Sequence, residues 1–213
     1  MSALNGPSRL PVTSKANSAV IMLHGRGSDG NDMIGLVNYF QNNLPNTAFF
    51  APHAPHSFED SPVGFQWYSS STPELRIQGV IDVASSVDMY IDQVVSSLDI
   101  KTSNVALLGF SQGCITALHV GPRRADPLAG IVGLSGAITT SSDLGQQAKN
   151  STPILLVHGE DDQVLPARLS VEASETLMEL GIPVDLHIIP DLRHSIDSRV
   201  ISIVTDFLLK VFS

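Results

Sequence analysis

Residues 104–115 read Asn-Val-Ala-Leu-Leu-Gly-Phe-Ser-Gln-Gly-Cys-Ile. Val105 to Leu108 is an unbroken apolar run, as a strand covered on both faces requires. Gly109-Phe110-Ser111-Gln112-Gly113 follows, and residues 114–120 suit a helix. A buried strand that breaks into a helix through Gly-x-Ser-x-Gly makes a turn so sharp that its serine sits in a strained backbone conformation. Side chains two residues either side would collide with the neighbouring strand or helix, hence the glycines. The strain lifts the Ser111 hydroxyl into the open at the sheet edge. The helix starting beside it aims main-chain N–H groups at any anion formed there. The five residues alone also fit a plain β–α turn with a serine cap, so their surroundings decide.

Outward from this stretch, short apolar runs at 19–23, 47–51, 128–134, 153–157 and 183–189 read as strands. A further edge strand is expected near 10–13. Helical spacing of apolar residues covers 31–44, 74–98, 167–180 and 197–212. Residues 139–151 are polar and read as a loop. Residues 53–73 lack periodicity but hold Phe58, Phe65, Trp67 and Tyr68. Aromatics argue against disorder there, and long ordered loops usually serve function, so the segment reads as a pocket wall. Strands alternating with helices imply an α/β fold with a mostly parallel sheet flanked by helices. The expected organisation is one domain over residues 1–213, with no insertion long enough for a separate cap domain.

Composition narrows the classes. A net charge of −9, from 12 basic and 21 acidic residues with no basic stripe, argues against nucleic-acid binding. The single cysteine, Cys114, excludes an intrachain disulfide, fits a reducing compartment and reads as a buried small apolar residue. No apolar run reaches the length of a membrane span, and the first residues lack a charged start and apolar core, so no stable membrane insertion and a cytoplasmic location are expected.

In an open parallel sheet, functional groups gather beyond the carboxyl ends of the strands. Four such ends stand out: the glycine-rich 24–30 loop, Ser111, the carboxylates Glu160-Asp161-Asp162, and His194. A serine hydroxyl is a weak nucleophile at neutral pH and needs a base within hydrogen-bond reach. A histidine, with a reference pKa of about 6.5, can take the proton and later return it to the leaving group. A carboxylate holds the ring tautomer and stabilises the imidazolium. Of seven histidines, His194 alone follows the last strand in a polar loop. His24 and His158 precede glycines and read as loop braces. His53 and His56 read as loop wall, and His119 and His187 as structural or exposed. Attack on a carbonyl puts charge on its oxygen, which main-chain donors must already face. The N–H groups of Gln112 and of Arg26, in the 24–27 loop, are the expected pair. Both act through main chain, so the side chains at 26 and 112 are expected to vary without loss. Trp67, Phe65 and Leu165 are the candidates for the acyl-pocket wall. No two histidines have a metal-ligand spacing with a matching carboxylate, so no metal and no cofactor are expected.

Together, Leu23-His24-Gly25-x-Gly27, Ala51-Pro52-x-Ala54-Pro55, Trp67-Tyr68, Gly109-Phe110-Ser111-Gln112-Gly113, His158-Gly159-x-x-Asp162 and His194-Ser195 resemble the phospholipase/carboxylesterase family of α/β-hydrolases. That family also contains the acyl-protein thioesterases, and the resemblance runs through nearly the whole chain. It implies an α/β-hydrolase fold and a metal-independent serine hydrolase of small-molecule carboxylic esters or thioesters. It also selects Asp162, just ahead of Gln163-Val164-Leu165-Pro166, as the triad acid. Arg26 in the oxyanion loop, and the lack of a proline directly after Asp162, point toward an esterase for short acyl chains. The alternatives are an acyl-protein or acyl-CoA thioesterase or lysophospholipase with the same triad, and a non-catalytic ligand-binding module. A monomer or homodimer is expected.

Overall fold

The computed structural model describes residues 3–11, 15–139 and 141–213. The chain runs β1 (Ser8–Arg9), β2 (Ser18–Leu23), α1 (Gly30–Ile34), α2 (Val37–Phe40), β3 (Thr47–Phe50), β4 (His56–Ser57), β5 (Phe65–Gln66) and α3 (Pro73–Leu98). It continues through β6 (Val105–Phe110), α4 (Gln112–Val120), β7 (Gly130–Leu134), α5 (Ser141–Gln147), β8 (Ile154–Gly159), α6 (Arg168–Glu179), β9 (Val184–Ile189) and α7 (Ser198–Val211). The main sheet has the order β1-β3-β2-β6-β7-β8-β9, and only β1 pairs antiparallel.

Successive strand residues point to opposite faces, and the apolar runs supply both cores. Ile21, Leu23, Leu107, Ile131 and Leu156 meet Val83, Val87 and Ile91 of α3 and Leu118 of α4 on one face. Val20, Met22, Leu108, Val132 and Val157 meet Phe40 of α2 and Val204 and Leu208 of α7 on the other. Helix α3 starts where Thr72 accepts the Leu75 N–H at 3.2 Å with Pro73 next in line, and it stops at Asp99, whose φ is 53°. Among the described residues, no helix is long and apolar enough to cross a membrane.

Register aligns the functional edge. Leu23 lies beside Gly109, Phe110 beside Leu134, and Leu134 beside Val157. The segments after β2, β6, β7 and β8 therefore leave the sheet from one rim.

Four expectations change. The segment 31–44 is two short helices rather than one, because the chain turns at Gly35 and Leu36. Residues 141–147 form a helix, although polar, because Leu144 is fully buried and anchors it. The 53–73 segment contains a small antiparallel hairpin of β4 and β5. The edge strand is Ser8–Arg9, beside Phe50 and Phe49, while Val12 and Thr13 lie outside the described residues.

Candidate active site

Ser111 stands between β6 and α4 with φ 53° and ψ −114°, a conformation that costs roughly 1–3 kcal/mol for a residue with a side chain. Its main chain is held there: the Ser111 N–H donates to Leu134 O at 2.8 Å, and Ser111 O accepts from Ile115 at 3.1 Å. A Cβ on Gly109 would overlap the Gly113 carbonyl, and one on Gly113 would overlap the Leu23 carbonyl. The two glycines are thus needed for the space they leave, one toward the helix and one toward the neighbouring strand.

Asp162 follows β8 with its side chain fully buried, and His194 follows β9 with 17% of its side chain exposed. Their loops are laced together, since Asp161 N–H donates to Leu192 O at 2.9 Å and Glu160 N–H to Ile189 O at 2.9 Å. The result is a hydrogen bond of 2.6 Å between His194 Nδ1 and Asp162 Oδ2. The carboxylate can only accept, so Nδ1 carries the proton and Nε2 is left as the basic nitrogen. The N–H groups of Val164 and Leu165 donate to the other oxygen, Oδ1, at 2.8 and 2.9 Å. Burial alone would raise the Asp162 carboxyl, but the bonds from His194, Leu165 and Val164 outweigh it and hold the group below the usual carboxylate range.

Ser111, His194 and Phe110 open onto one cleft of about 320 Å³, shared with Gly25, Arg26, Met33, Leu36 and Ile196. The Phe110 ring lies 4.9 Å from the His194 ring, centroid to centroid. Among the described residues no hydrogen bond joins the Ser111 hydroxyl to His194. Such bonds are often loose without substrate and tighten in the reacting complex.

The glycine-rich loop after β2 is braced from behind. His24 Nε2 accepts the Ala54 N–H at 2.9 Å, so its Nδ1 carries the proton and donates to Gly25 O at 2.7 Å. Burial pushes this imidazole down, which keeps it neutral and fixed. Arg26 reaches across to Glu59 at 2.7 Å and Asp60 at 2.8 Å, with its guanidinium 4.8 Å from the Phe58 ring centre. Those hydrogen bonds from Arg26, with help from Ser69 and Gln66, lower the Glu59 carboxyl to about 2.

The Gln112 side chain, like that of Arg26, makes structural contacts that the sequence expectation did not include. Gln112 is 4% exposed. Its Oε1 accepts the Trp67 N–H at 2.8 Å, and its Nε2 donates to Tyr68 O at 2.8 Å and Ser70 Oγ at 3.2 Å.

The pocket-wall expectations also need correction. Trp67 is fully buried in the core, where its indole N–H donates to His24 O at 2.9 Å. Phe65 packs 5.1 Å from the His53 ring and meets the cleft-lining Ser28 only through its main chain, donating its N–H to Ser28 O at 2.8 Å. Leu165 is half-buried and contributes main chain, donating to Asp162 and accepting from His158 at 2.8 Å. The apolar residues that do line the cleft, Met33, Leu36, Phe110 and Ile196, were missed. Their only sequence signal is nearness: two follow the glycine-rich loop, one precedes Ser111 and one follows His194-Ser195.

The family model for phospholipase/carboxylesterase matches residues 10–212. Acyl-protein thioesterase 1 of Neurospora crassa is 26% identical over 95% of this chain and 90% of that protein. Esterase YpfH of Escherichia coli is 26% identical over 91% of this chain and 82% of its own length. The crystal structure of esterase PE8 superposes with a TM-score of 0.95 at 33% identity, covering 99% of this chain and all of the other. A parallel sheet flanked by helices, with Ser111 at its strand-to-helix elbow, is the α/β-hydrolase fold, and the chain belongs to the phospholipase/carboxylesterase family of hydrolases.

Proposed function

We propose that the protein is a serine carboxylesterase whose triad is Ser111, His194 and Asp162. The observation that carries this reading is the 2.6 Å bond from His194 Nδ1 to the buried Asp162, with His194 and Ser111 opening on one cleft. His194 Nε2 takes the hydroxyl proton as Ser111 Oγ attacks the substrate carbonyl. Charge moves to the carbonyl oxygen, which the N–H groups of Arg26 and Gln112 receive. The tetrahedral adduct collapses, the alcohol leaves with the proton from His194, and an acyl group remains on Ser111. Water then repeats the sequence with His194 as base and releases the acid.

Among the described residues, neither the Arg26 nor the Gln112 N–H is spent on another protein group, which supports their role as donors. The apolar lining by Met33, Leu36, Phe110 and Ile196, in a cleft of about 320 Å³, supports an acyl group of short to medium length. The whole chain acts as one catalytic domain on small-molecule substrates, in the cytoplasm, as a monomer or homodimer.

Hydrolysis of p-nitrophenyl esters from acetate to palmitate, with EDTA present and Ser111→Ala alongside, tests the reading. Turnover should vanish in the variant and fall off toward long chains. Equal rates in wild type and variant would overturn it. The similarity to acyl-protein thioesterase 1 of Neurospora crassa supports a second reading, a thioesterase with the same residues. Matched oxygen and sulfur esters of one acyl group separate the two.

A further inference from the structure

The carboxylate of Asp162 is held by two histidines. Besides His194, His158 Nε2 lies 3.1 Å from Asp162 Oδ2. His158 is the penultimate residue of β8, four residues before Asp162, and its side chain is fully buried. The same Nε2 lies 2.8 Å from Leu165 O. Both neighbours can only accept, so Nε2 carries a proton and donates to both. The other nitrogen, Nδ1, lies 2.7 Å from the hydroxyl of Ser170 on α6, which is 1% exposed. That hydroxyl completes the assignment by donating to Nδ1 of a neutral ring.

We propose that His158 is a positioning residue for hydrolysis, whose Nε2–H fixes the rotation and tempers the basicity of the Asp162 carboxylate that orients His194. The proposal rests on the triad reading above. Without His158, Oδ2 would be held by His194 alone, and only the main-chain donors on Oδ1 would resist rotation. The charged or titratable groups facing His158 are Asp162 from its own loop and His194 from the loop after β9. Ser170 from α6 and the Leu165 carbonyl are neutral, and Gly136 O, after β7, lies 3.4 Å from the Ser170 hydroxyl. Burial pushes the His158 imidazole down, outweighing the Leu165 carbonyl and the carboxylate, so the ring stays a neutral donor. A neutral donor on Asp162 stabilises the carboxylate most when His194 is uncharged. Its loss leaves more of the carboxylate's negative charge facing the His194 ring.

The test compares wild type, His158→Phe and His158→Gln across pH, with Asp162→Asn and Ser111→Ala as references. His158→Phe should lower kcat/KM about tenfold, mainly in kcat, and move the acid limb of the profile to higher pH. His158→Gln, which returns an N–H near the same place, should recover most of both. An acid limb that stays put in His158→Phe, or no recovery by His158→Gln, would overturn the proposal. Full activity in Ser111→Ala or Asp162→Asn would instead overturn the triad. A merely structural histidine would lower stability without moving the profile. Should His158→Phe fail to fold, nitrogen NMR of histidine-labelled wild type decides. His158 should remain the neutral Nε2–H tautomer across the pH range of the activity profile. An Nδ1–H tautomer, or protonation of both rings together, would overturn the assignment.

Discussion

The side-chain carbonyl of Gln112 accepts the main-chain N–H of Trp67 at 2.8 Å, so the residue after Ser111 also anchors the loop packed behind it. Truncation leaves the Trp67 N–H and Tyr68 O buried without partners. Each orphaned group costs about 1–3 kcal/mol. Gln112→Ala should therefore destabilise the protein by about 2–6 kcal/mol, read as a lower urea midpoint at unchanged slope. It should also slow turnover, because its N–H sits on the same helix start that the loop steadies.

Asp162→Asn keeps the size of the side chain but presents an amide to His194 Nδ1. An amide N–H there favours the tautomer with the proton on the wrong nitrogen. A loss of about 10³–10⁴ in kcat is expected, with the fold retained. Circular dichroism beside steady-state kinetics checks both halves.

The elbow's strain has its own signature. Glycine adopts the positive φ of Ser111 freely, whereas alanine does not. Both Ser111→Gly and Ser111→Ala should be inactive. The glycine variant should be the more stable of the two by about 1–2 kcal/mol, after allowing for its more flexible unfolded chain. A glycine variant that melts below the alanine variant would show that the turn carries no strain.

His119, on α4, is 8% exposed, and burial followed by the nearby Arg123 lowers it to about 4. The unfolded chain then binds a proton that the folded state refuses between about pH 6.5 and pH 4, so stability rises with pH through that window and falls as pH is lowered through it. The effect should be on the order of 2–3 kcal/mol by pH 4.5. His119→Gln should narrow the gap between the wild-type urea midpoints at pH 7 and pH 4.5. An unchanged gap would assign the acid sensitivity elsewhere.

The central strands, the elbow, the loop position of His194 and helix α3 were legible in the residues, because each has a strong local signature, whereas Asp162 stood out from its neighbours Glu160 and Asp161 only through the family resemblance. Apolar runs define β2, β6 and β8, helical spacing defines α3, and tight packing demands Gly109 and Gly113. Helix α5 left no such mark, since Leu144 alone is its buried apolar anchor and the rest is polar. Hairpin strands β4 and β5 are two residues each, too short for any periodicity. Trp67 was misplaced because an aromatic beside a functional loop looks the same in sequence whether it faces the cleft or the core. Its indole N–H, which needs a buried acceptor, finds one in His24 O. The double use of Asp162 was hidden for a similar reason: spacing shows that His158 and Asp162 lie near each other, not that both histidines meet at one oxygen.

The proposed base comes from the rim of the molecule. Strand β9, which leads to His194, is bordered by β8 alone and is partly exposed along most of its length, whereas β6, which leads to Ser111, lies mid-sheet and is almost wholly buried. Cooperative units at a sheet edge open at lower free energy than central ones. The proposed nucleophile and base therefore belong to regions of unequal persistence. In mild urea, hydrolysis should disappear before the far-UV signal of the sheet, and β9 amides should exchange with deuterium ahead of those in β6. Catalytic competence is then a sensor of the sheet's outer border, reversible while the centre stays intact.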